Sequence, residues 1–313
     1  MSAPTHDLVI VGAGPAGLTA AIYAARARLR TVVLDESVPG GQVKTTHKVS
    51  NYPGFPEDVK GTDLARAFAT QAERFGATIR RAVEITDHEL AAPLKRFELD
   101  EEETVTAPAV IVATGAKPRL LGLPGESRFR GRGISSCATC DGAYFEGKDV
   151  HVIGGGNSAV EESLFLTAFA RSLTMVVRRD HLTAEASSAE EALRHPKIKV
   201  LWRTAPVGFA GEGALQRMRV KDLASGEERD LATDGVFVFI GSEPRVDLLR
   251  GLVTLDPSGY VLAGEDMATS VPGLFVAGDV RAKSFRQITT AVADGTVAAL
   301  AAQKFVLAAR GRV

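Results

Sequence analysis

The chain has 313 residues, of which 45% are hydrophobic and 24% are charged, so it can bury a sizeable core and is long enough for two domains. Its 37 basic and 38 acidic side chains leave a formal net charge of −1, with no long run of like charge. This balance excludes nucleic acid or an anionic membrane surface as a partner of the chain as a whole, and any partner must be recognised at a local site.

The first predicted elements are a strand, a tight turn, a helix and a second strand. Residues 7–11 read DLVIV, a β-branched apolar run, and are followed by GAGPAG and by the alanine-rich helix formers of residues 18–30. Residues 31–35 read TVVLD and continue as the next strand. Together these segments predict a βαβ unit.

Gly12, Gly14 and Gly17 fit the G-x-G-x-x-G pattern of a dinucleotide-binding turn. The pattern allows a tight turn, a close approach of the backbone to a pyrophosphate, and close packing of helix on strand. Asp35 ends the second strand, where a carboxylate can accept hydrogen bonds from ribose hydroxyls. The combination predicts a dinucleotide site at the start of the first helix.

Residues 8–25 contain no charged side chain and are long enough to raise the question of a membrane span. Three glycines and a proline interrupt the run near its start, and neither a basic n-region nor a small-residue cleavage pattern marks it as a signal peptide. With no export signal and a single cysteine pair, we expect a cytoplasmic protein with no membrane partner.

Cys137 and Cys140 are the only cysteines of the chain. A disulfide between them would close so short a loop that it would add little stability by chain entropy. Structural zinc needs four ligands, and no second cysteine pair or nearby histidine supplies them, so we expect no metal site. The pair is therefore interpreted as a dithiol that cycles with a disulfide.

Asp141 follows the second cysteine directly. A dithiol that forms or is consumed needs a proton removed or delivered, and a carboxyl group whose pKa is raised by burial could serve. The alternative is a structural role, as a helix N-cap or turn former before Gly142.

The strand, glycine turn and helix pattern returns at residues 149–170, and the strand of residues 172–180 follows it. Gly154, Gly156 and Ala159 form the G-x-G-x-x-A variant of the fingerprint. The chain therefore holds two copies of one nucleotide-binding module.

In the second copy Val177 stands where the ribose acid would be, and Arg178 and Arg179 follow at once. Two guanidinium groups suit a 2′-phosphate, and the missing carboxylate removes a repulsive charge, which predicts NADPH in preference to NADH. The alternative is an exposed turn that serves solubility. The residues expected to bind this nucleotide are Gly154, Gly156, Asn157, Ser158, Ala159, Arg178 and Arg179.

A second internal repeat indicates the domain organisation. Residues 110–119 (VIVATGAKPR) and residues 236–245 (VFVFIGSEPR) are both apolar strands that end in a Gly-x-x-Pro-Arg turn. The second module lies between these turns, and a further strand and an alanine-rich helix follow residue 245. We therefore expect an α/β protein with two Rossmann-like domains, residues 118–245 being inserted between residues 1–117 and 246–313, with two hinge-like crossings.

Several motifs occur together in the order of one family, over nearly the whole chain. They are GAGPAG at 12–17, PGGQ at 39–42, NYPGFP at 51–56, ATG at 113–115, CATCDG at 137–142, GGGNSA at 154–159, and AGDV with RQ at 277–287. On these motifs the chain resembles the low-molecular-weight, bacterial-type thioredoxin reductases.

The resemblance implies a homodimeric flavoprotein, with FAD in the split domain, and with NADPH and the redox disulfide in the inserted one. It implies that Cys140 faces the flavin, that Cys137 attacks the disulfide of thioredoxin or a thioredoxin-like protein, and that Asp141 is the acid and base. The residues implied for FAD are Gly12, Gly14, Gly17, Asp35, Gly41, Gln42, Asn51, Thr114, Gly278, Asp279, Arg286 and Gln287.

The chain departs from the family pattern at the expected phosphate site. Family members usually carry a histidine and a further arginine where this chain has Val177 and Thr183, and an aspartate is common where it has Asn157. The leading hypothesis is electron flow from NADPH through FAD to the disulfide and on to thioredoxin. The alternatives are the same chemistry with ferredoxin or another flavin as donor, and a redox sensor that signals through its disulfide.

Overall fold

A computed structural model describes residues 4–46, 49–100 and 103–311. The chain divides into two compact units, residues 1–117 with 243–313 and, between them in sequence, residues 118–242. The inserted unit thus ends at residue 242, whereas the sequence predicted that it ends at residue 245. Each unit contains a five-stranded parallel sheet, so the expected class, α/β with two Rossmann-like units, is confirmed.

The first unit is built on a parallel sheet with strand order β18-β7-β1-β2-β3. Its strands are β1 (Leu8–Val11), β2 (Thr31–Asp35), β3 (Thr78–Arg81), β7 (Ala109–Val112) and β18 (Leu274–Val276). Its helices are α1 (Pro15–Arg26), α2 (Gly61–Arg74) and α7 (Ile288–Ala309). An antiparallel sheet is formed by β4 (Ile85–Glu89), β5 (Lys95–Leu99) and β6 (Thr104–Ala107).

The parallel sheet of the first unit separates two apolar layers. Because successive side chains of a strand point to opposite faces, Leu8 and Ile10 pack with the helices, while Val9 and Val11 pack with the antiparallel sheet. All four are buried. This explains why β1 is apolar throughout and does not alternate with polar residues.

The second unit repeats the arrangement, with strand order β12-β11-β10-β16-β9. Its strands are β9 (Ile134–Ser135), β10 (Asp149–Ile153), β11 (Ser172–Val176), β12 (Ile198–Leu201) and β16 (Gly235–Val238). Its helices are α3 (Glu126–Phe129), α4 (Ala138–Asp141), α5 (Asn157–Leu166) and α6 (Ala186–Arg194). Its antiparallel sheet contains β13 (Thr204–Ala210), β14 (Arg217–Asp222) and β15 (Glu228–Ala232).

The internal duplication is visible in the topology, because β1 and β10 occupy the same central position of their sheets and each is followed by a glycine turn and a helix. The segments in which the chain crosses between units, β8 (Ala116–Pro118) and β17 (Ser242–Pro244), form a two-stranded sheet.

Within the described residues, α7 is the one helix long and apolar enough to cross a membrane by length and composition. Its small side chains Ala298, Ala299 and Ala302 are buried in the same apolar layer as α1. Small residues at these positions let the two helices pack closely.

Candidate functional site

The expected dinucleotide residues of the first unit meet at one edge of its parallel sheet. Gly12 and Thr114 come shortly after β1 and β7, Asp35 ends β2, and Gly278 follows β18. The carboxyl ends of parallel strands lie at the same edge of a sheet, and this edge is where open α/β sheets bind ligands.

The first glycine loop leaves no room for side chains at two of its three glycines. Gly12 has φ +104°, and a Cβ there would lie 2.5 Å from the carbonyl oxygen of Ala113. A Cβ on Gly17 would overlap the carbonyl oxygen of Gly12. Gly14, the N-cap of α1, has an ordinary φ of −78°, and a Cβ there would meet only the Cα of Gly41, at 3.8 Å. Gly14 thus leaves open backbone at the amino end of α1, which fits a bound pyrophosphate.

Asp35 fixes the glycine loop to the second strand. One carboxylate oxygen accepts a hydrogen bond from the Ala13 N–H at 2.6 Å, and the other accepts one from the Ser37 N–H at 2.9 Å. A carboxylate has about four acceptor positions, so it can also accept bonds from ribose hydroxyls.

Three other expected residues are held by contacts within the first unit. The Gln42 amide donates to the carbonyl oxygen of Ala116, and the Thr114 hydroxyl donates to that of Arg245 at 2.6 Å. The Asn51 amide donates to the side-chain oxygen of Gln287 at 3.3 Å, although the two lie far apart in sequence. These contacts place the side chains without showing what they bind.

Two buried polar atoms with room for further hydrogen bonds lie after β18. Arg286 Nε has no hydrogen-bond partner among the described residues, and Asp279 Oδ1 has only Lys283 Nζ beside it, at 3.3 Å. Burial raises the pKa of Asp279, and Lys283 opposes that shift. Unpaired buried polar groups are costly. The edge of the first unit therefore fits a bound dinucleotide with further hydrogen-bonding groups.

Asp294, on α7, organises this segment and was not among the expected site residues. Its buried carboxylate accepts hydrogen bonds from the Gly278 N–H at 3.0 Å, from Arg281 Nη1 at 3.0 Å and from Lys283 Nζ at 3.1 Å. A buried carboxylate needs partners of this kind. The signal available in the sequence was a lone acid inside the otherwise apolar final helix.

Cys137 and Cys140 form a disulfide, with their Cα atoms 5.3 Å apart. Cys137 is the extended N-cap of α4, and Cys140 lies within that helix. Both are partly exposed. Across the described ranges, no group of three or more histidine, cysteine, aspartate or glutamate side chains could hold a metal ion.

Asp141 lies beside the disulfide and is linked to it through Ser135. The Ser135 hydroxyl donates to Asp141 Oδ2 at 2.6 Å and accepts from the Cys137 N–H at 3.1 Å. Burial raises the pKa of Asp141, and the Ser135 hydrogen bond partly opposes that rise. The sequence analysis missed Ser135, although a serine two residues before a helix-capping cysteine can form such a turn.

The second glycine loop, in the second unit, resembles the first in detail. Gly154 has φ +144°, and a Cβ there would overlap the carbonyl oxygen of Phe239. Gly156 is the N-cap of α5 with φ −90°, and a Cβ there would meet only the Thr183 hydroxyl, at 3.8 Å. Ala159 is fully buried, whereas Ser158 is exposed. This loop also leaves backbone open at the start of a helix.

The three residues of the second unit that depart from the family pattern contact its glycine loop. Val177 is 3% exposed, and a Cβ on Gly155 would lie 3.0 Å from its side chain. Thr183 donates to the Gly155 carbonyl oxygen from its N–H at 2.7 Å and from its hydroxyl at 3.2 Å. Asn157 accepts from the Glu185 N–H at 2.8 Å. These three residues therefore shape the loop.

Arg178 and Arg179 follow Val177, just beyond the end of β11, and both are exposed. They lie at the carboxyl end of a parallel strand, as Asp35 does in the first unit. Guanidinium groups at this end of the sheet can reach an anion that is bound near the glycine loop.

Two dinucleotide-binding folds, one of them carrying a disulfide beside a half-buried acid, define a nucleotide-dependent disulfide oxidoreductase. The sequence profile described as pyridine nucleotide-disulphide oxidoreductase matches residues 6–295. The chain belongs to this family.

Individual relatives are similar along their whole length. The thioredoxin reductase of Peptoclostridium acidaminophilum is 43% identical over 307 residues, which is 96% of this chain and 97% of the relative. That of Treponema pallidum is 45% identical over 305 residues, with the same coverage. The crystal structure of thioredoxin reductase from Streptococcus pyogenes has a TM-score of 0.92 at 37% identity and covers 97% of this chain and 98% of its own. The expected resemblance is confirmed, and the protein is a flavoprotein disulfide reductase.

Proposed function

We propose that the protein is a thioredoxin reductase, passing electrons from NADPH through FAD to the Cys137–Cys140 disulfide and on to thioredoxin or a thioredoxin-like protein. The observation that supports this most directly is the disulfide beside the half-buried Asp141, in a unit that also has a nucleotide-binding loop. Full-length similarity to named thioredoxin reductases supports the choice of acceptor.

In this proposal the first unit holds FAD and the second holds NADPH. FAD supplies the electron transfer between hydride donor and disulfide. The backbone N–H groups at the start of α1 and the open face of Gly14 would receive its pyrophosphate, and Asp35 its ribose. Asp279 and Arg286 would offer it their buried Oδ1 and Nε atoms.

The chemistry of the disulfide needs two electrons and two protons for each cycle. Reduction breaks the bond between Cys137 and Cys140, and Asp141 holds a proton that it can deliver to a thiolate beside it. The Cys137 thiolate then attacks the partner's disulfide, which forms a mixed disulfide and releases one partner thiolate. Cys140 attacks Cys137 in turn, which restores the enzyme's disulfide and releases the second partner thiolate.

NADPH is the proposed donor because Arg178 and Arg179 are exposed at the strand end where a 2′-phosphate would lie. Ferredoxin or another flavin as donor is not favoured. Val177 and Thr183 motivated that alternative, but their contacts with Gly155 give both a structural role in the glycine loop. The relatives with named activity at 43% to 45% identity are thioredoxin reductases.

The family resemblance also supports a homodimer in the cytoplasm, with neither a nucleic acid nor a membrane partner. Size-exclusion chromatography with light scattering measures the oligomeric state directly. A mass near that of one 33.1 kDa chain would contradict the dimer.

Anaerobic spectroscopy of the purified holoenzyme tests the function. We expect NADPH to bleach the flavin in the wild type, in Cys137→Ser and in Cys140→Ser, while both variants lose multiple turnover with thioredoxin. Cys140→Ser should accumulate a mixed disulfide with thioredoxin, whereas Cys137→Ser should not. Ser136→Ala, which changes an exposed neighbour of the pair, is the matched control and should turn over normally.

Three results would contradict the proposal. A protein that takes up no FAD would overturn the cofactor, and a flavin that millimolar NADPH leaves oxidised would overturn the donor. A flavin that is reduced without multiple turnover of any thioredoxin would favour the redox sensor.

A further inference from the structure

Arg203 lies in a tight turn between β12 and β13 with φ +49°, a conformation that non-glycine residues seldom adopt. The backbone is held there from both sides, because the Arg203 N–H donates to the Arg179 carbonyl oxygen at 3.1 Å and its own carbonyl accepts from the Leu223 N–H at 2.7 Å. A glycine would adopt this conformation without strain. The arginine side chain is therefore not what the turn itself requires, and strained residues of this kind often serve a function.

The side chain of Arg203 pairs with Asp180, the residue that directly follows the two exposed arginines. Arg203 Nη2 lies 3.0 Å from Asp180 Oδ2, and His181 Nδ1 lies 2.8 Å from Asp180 Oδ1. The hydrogen bond from His181 and then that from Arg203 lower the pKa of Asp180 to about 2. The carboxylate is therefore charged throughout the neutral range.

A charged carboxylate at this position opposes the binding of a 2′-phosphate. Asp180 is adjacent in sequence to Arg179, whose backbone carbonyl also contacts Arg203. Because like charges repel, a carboxylate that has lost its arginine partner would weaken phosphate binding, and the exposed His181 would remain its neighbour. Arg178 and Arg179 are the cations expected to bind the phosphate here. Val177 and Thr183, which stand where family members usually carry a histidine and an arginine, provide no positive charge.

We propose that Arg203 is a specificity-determining residue for the nucleotide: by pairing with Asp180 it offsets a repulsive charge and so favours a 2′-phosphate over a free 2′-hydroxyl. This inference rests on the proposed function, because it assumes that the second unit binds NADPH. Arg203 acts through Asp180 and is a positioning residue. Arg178 and Arg179 are the groups that receive the phosphate.

Calorimetric titration of the full holoenzyme with adenosine 2′,5′-bisphosphate and with 5′-AMP tests the proposal without turnover. The ratio of the two dissociation constants reports the 2′-phosphate alone. Arg203→Gly should reduce the preference for the bisphosphate about fivefold and leave the affinity for 5′-AMP unchanged. The variant should unfold at no lower temperature than the wild type, because glycine suits the turn.

Arg28→Gly is the matched control, because Arg28 is also an exposed arginine with positive φ, +59°, but lies in the first unit. It removes the same charge and should leave the ratio unchanged. A second arm adds Asp180→Asn to Arg203→Gly, and the wild-type preference should return. At high salt the ratio of the two dissociation constants should differ less between the wild type and the variants, since exposed charges are screened.

The outcomes separate this inference from the proposed function. If the wild type prefers the bisphosphate and Arg203→Gly keeps that preference, Arg203 has no such role while the NADPH site stands. If Arg203→Gly loses it and Asp180→Asn fails to restore it, pairing with Asp180 is not the cause. If the wild type shows no preference for the bisphosphate, both the inference and the assignment of NADPH are overturned.

Discussion

At the scale of single residues, Asp141 shows how burial prepares a group for proton transfer. Its pKa is raised by burial and lowered less by Ser135, so the folded protein binds this proton more tightly than the unfolded chain does. A raised carboxyl pKa makes the free energy of unfolding fall as pH rises from the unfolded value of 3.8 through the folded one. Near neutral pH, therefore, the ionised carboxylate lowers stability, which a purely structural aspartate would not do.

Asp141→Asn separates the two roles. We expect turnover with thioredoxin to fall about 100-fold or more, the usual contribution of a positioned acid or base. We also expect the free energy of unfolding at neutral pH to stay the same or rise, because the amide carries no charge to bury. Urea denaturation and steady-state kinetics measure the two effects on the same preparation.

Ser135→Ala is the companion variant for this prediction. It removes a hydrogen bond that lowers the pKa of Asp141, so that pKa should rise, and the pH above which the acid loses its proton should rise with it. If the alkaline limb of the kcat profile stays in place, or if Asp141→Asn is destabilised but active, the acid–base role is wrong.

At the scale of elements, the two glycine loops offer a paired test, because Gly14 and Gly156 hold the same position at the start of α1 and α5. Both have ordinary φ values, and a Cβ at either would meet no atom closer than 3.8 Å. Gly14→Ala and Gly156→Ala should therefore fold, and each new methyl group would lie where a pyrophosphate must approach.

Each variant should lose one nucleotide and keep the other. Gly14→Ala is expected to weaken FAD binding about 5- to 150-fold, from the cost of overpacking of about 1–3 kcal/mol, without changing the affinity for NADP⁺. Gly156→Ala should show the reverse. Fluorescence titration of the apoprotein with FAD, and calorimetry of the holoenzyme with NADP⁺, measure both constants. Equal losses in both variants would contradict the assignment of one nucleotide to each unit.

Elements of this kind could be predicted from the sequence because their signals are local. Gly12 and Gly17 are glycines for steric reasons that involve their own loop and the neighbouring strand, and the β-branched run before them reports a strand buried on both faces. The strands, both loops and the duplication follow from such patterns. The expected roles of the individual site residues stay predictions.

Other parts of the site depend on contacts between distant segments, which the sequence pattern does not show. Asp294 reaches Gly278 from the last helix, and Arg203 reaches Asp180 from the turn between β12 and β13. In the sequence, Val177 and Thr183 stand where family members usually carry phosphate-binding residues. In the structure both contact Gly155 and support the glycine loop. Only tertiary structure distinguishes a missing ligand from a residue that supports a loop.

At the scale of the whole molecule, each unit has its own apolar core and its own response to acid. In the second unit, buried His151 contacts the Thr233 hydroxyl at 2.9 Å, and burial lowers the pKa of the histidine to about 4, against the opposing effect of Asp149. In the first unit the pKa of His6 is also lowered, by burial and by Arg30, but His6 is partly exposed. The second unit should therefore be the more sensitive to mild acid.

Acid should open the second unit before the first. A histidine whose folded pKa is lowered contributes stability that is fully present above its unfolded pKa of 6.5 and is lost as pH falls through about 4. The full shift corresponds to about 3 kcal/mol. Hydrogen exchange, corrected for the intrinsic effect of pH, should show protection lost between pH 7 and 4.5 in peptides of β10 and β11, while β1 and β2 lose less.

His151→Asn, which keeps a hydrogen-bonding side chain without a titratable ring, should flatten this pH dependence of protection in the second unit alone. Equal loss in both units of the wild type, or an unchanged slope in the variant, would show that another group controls the response to acid.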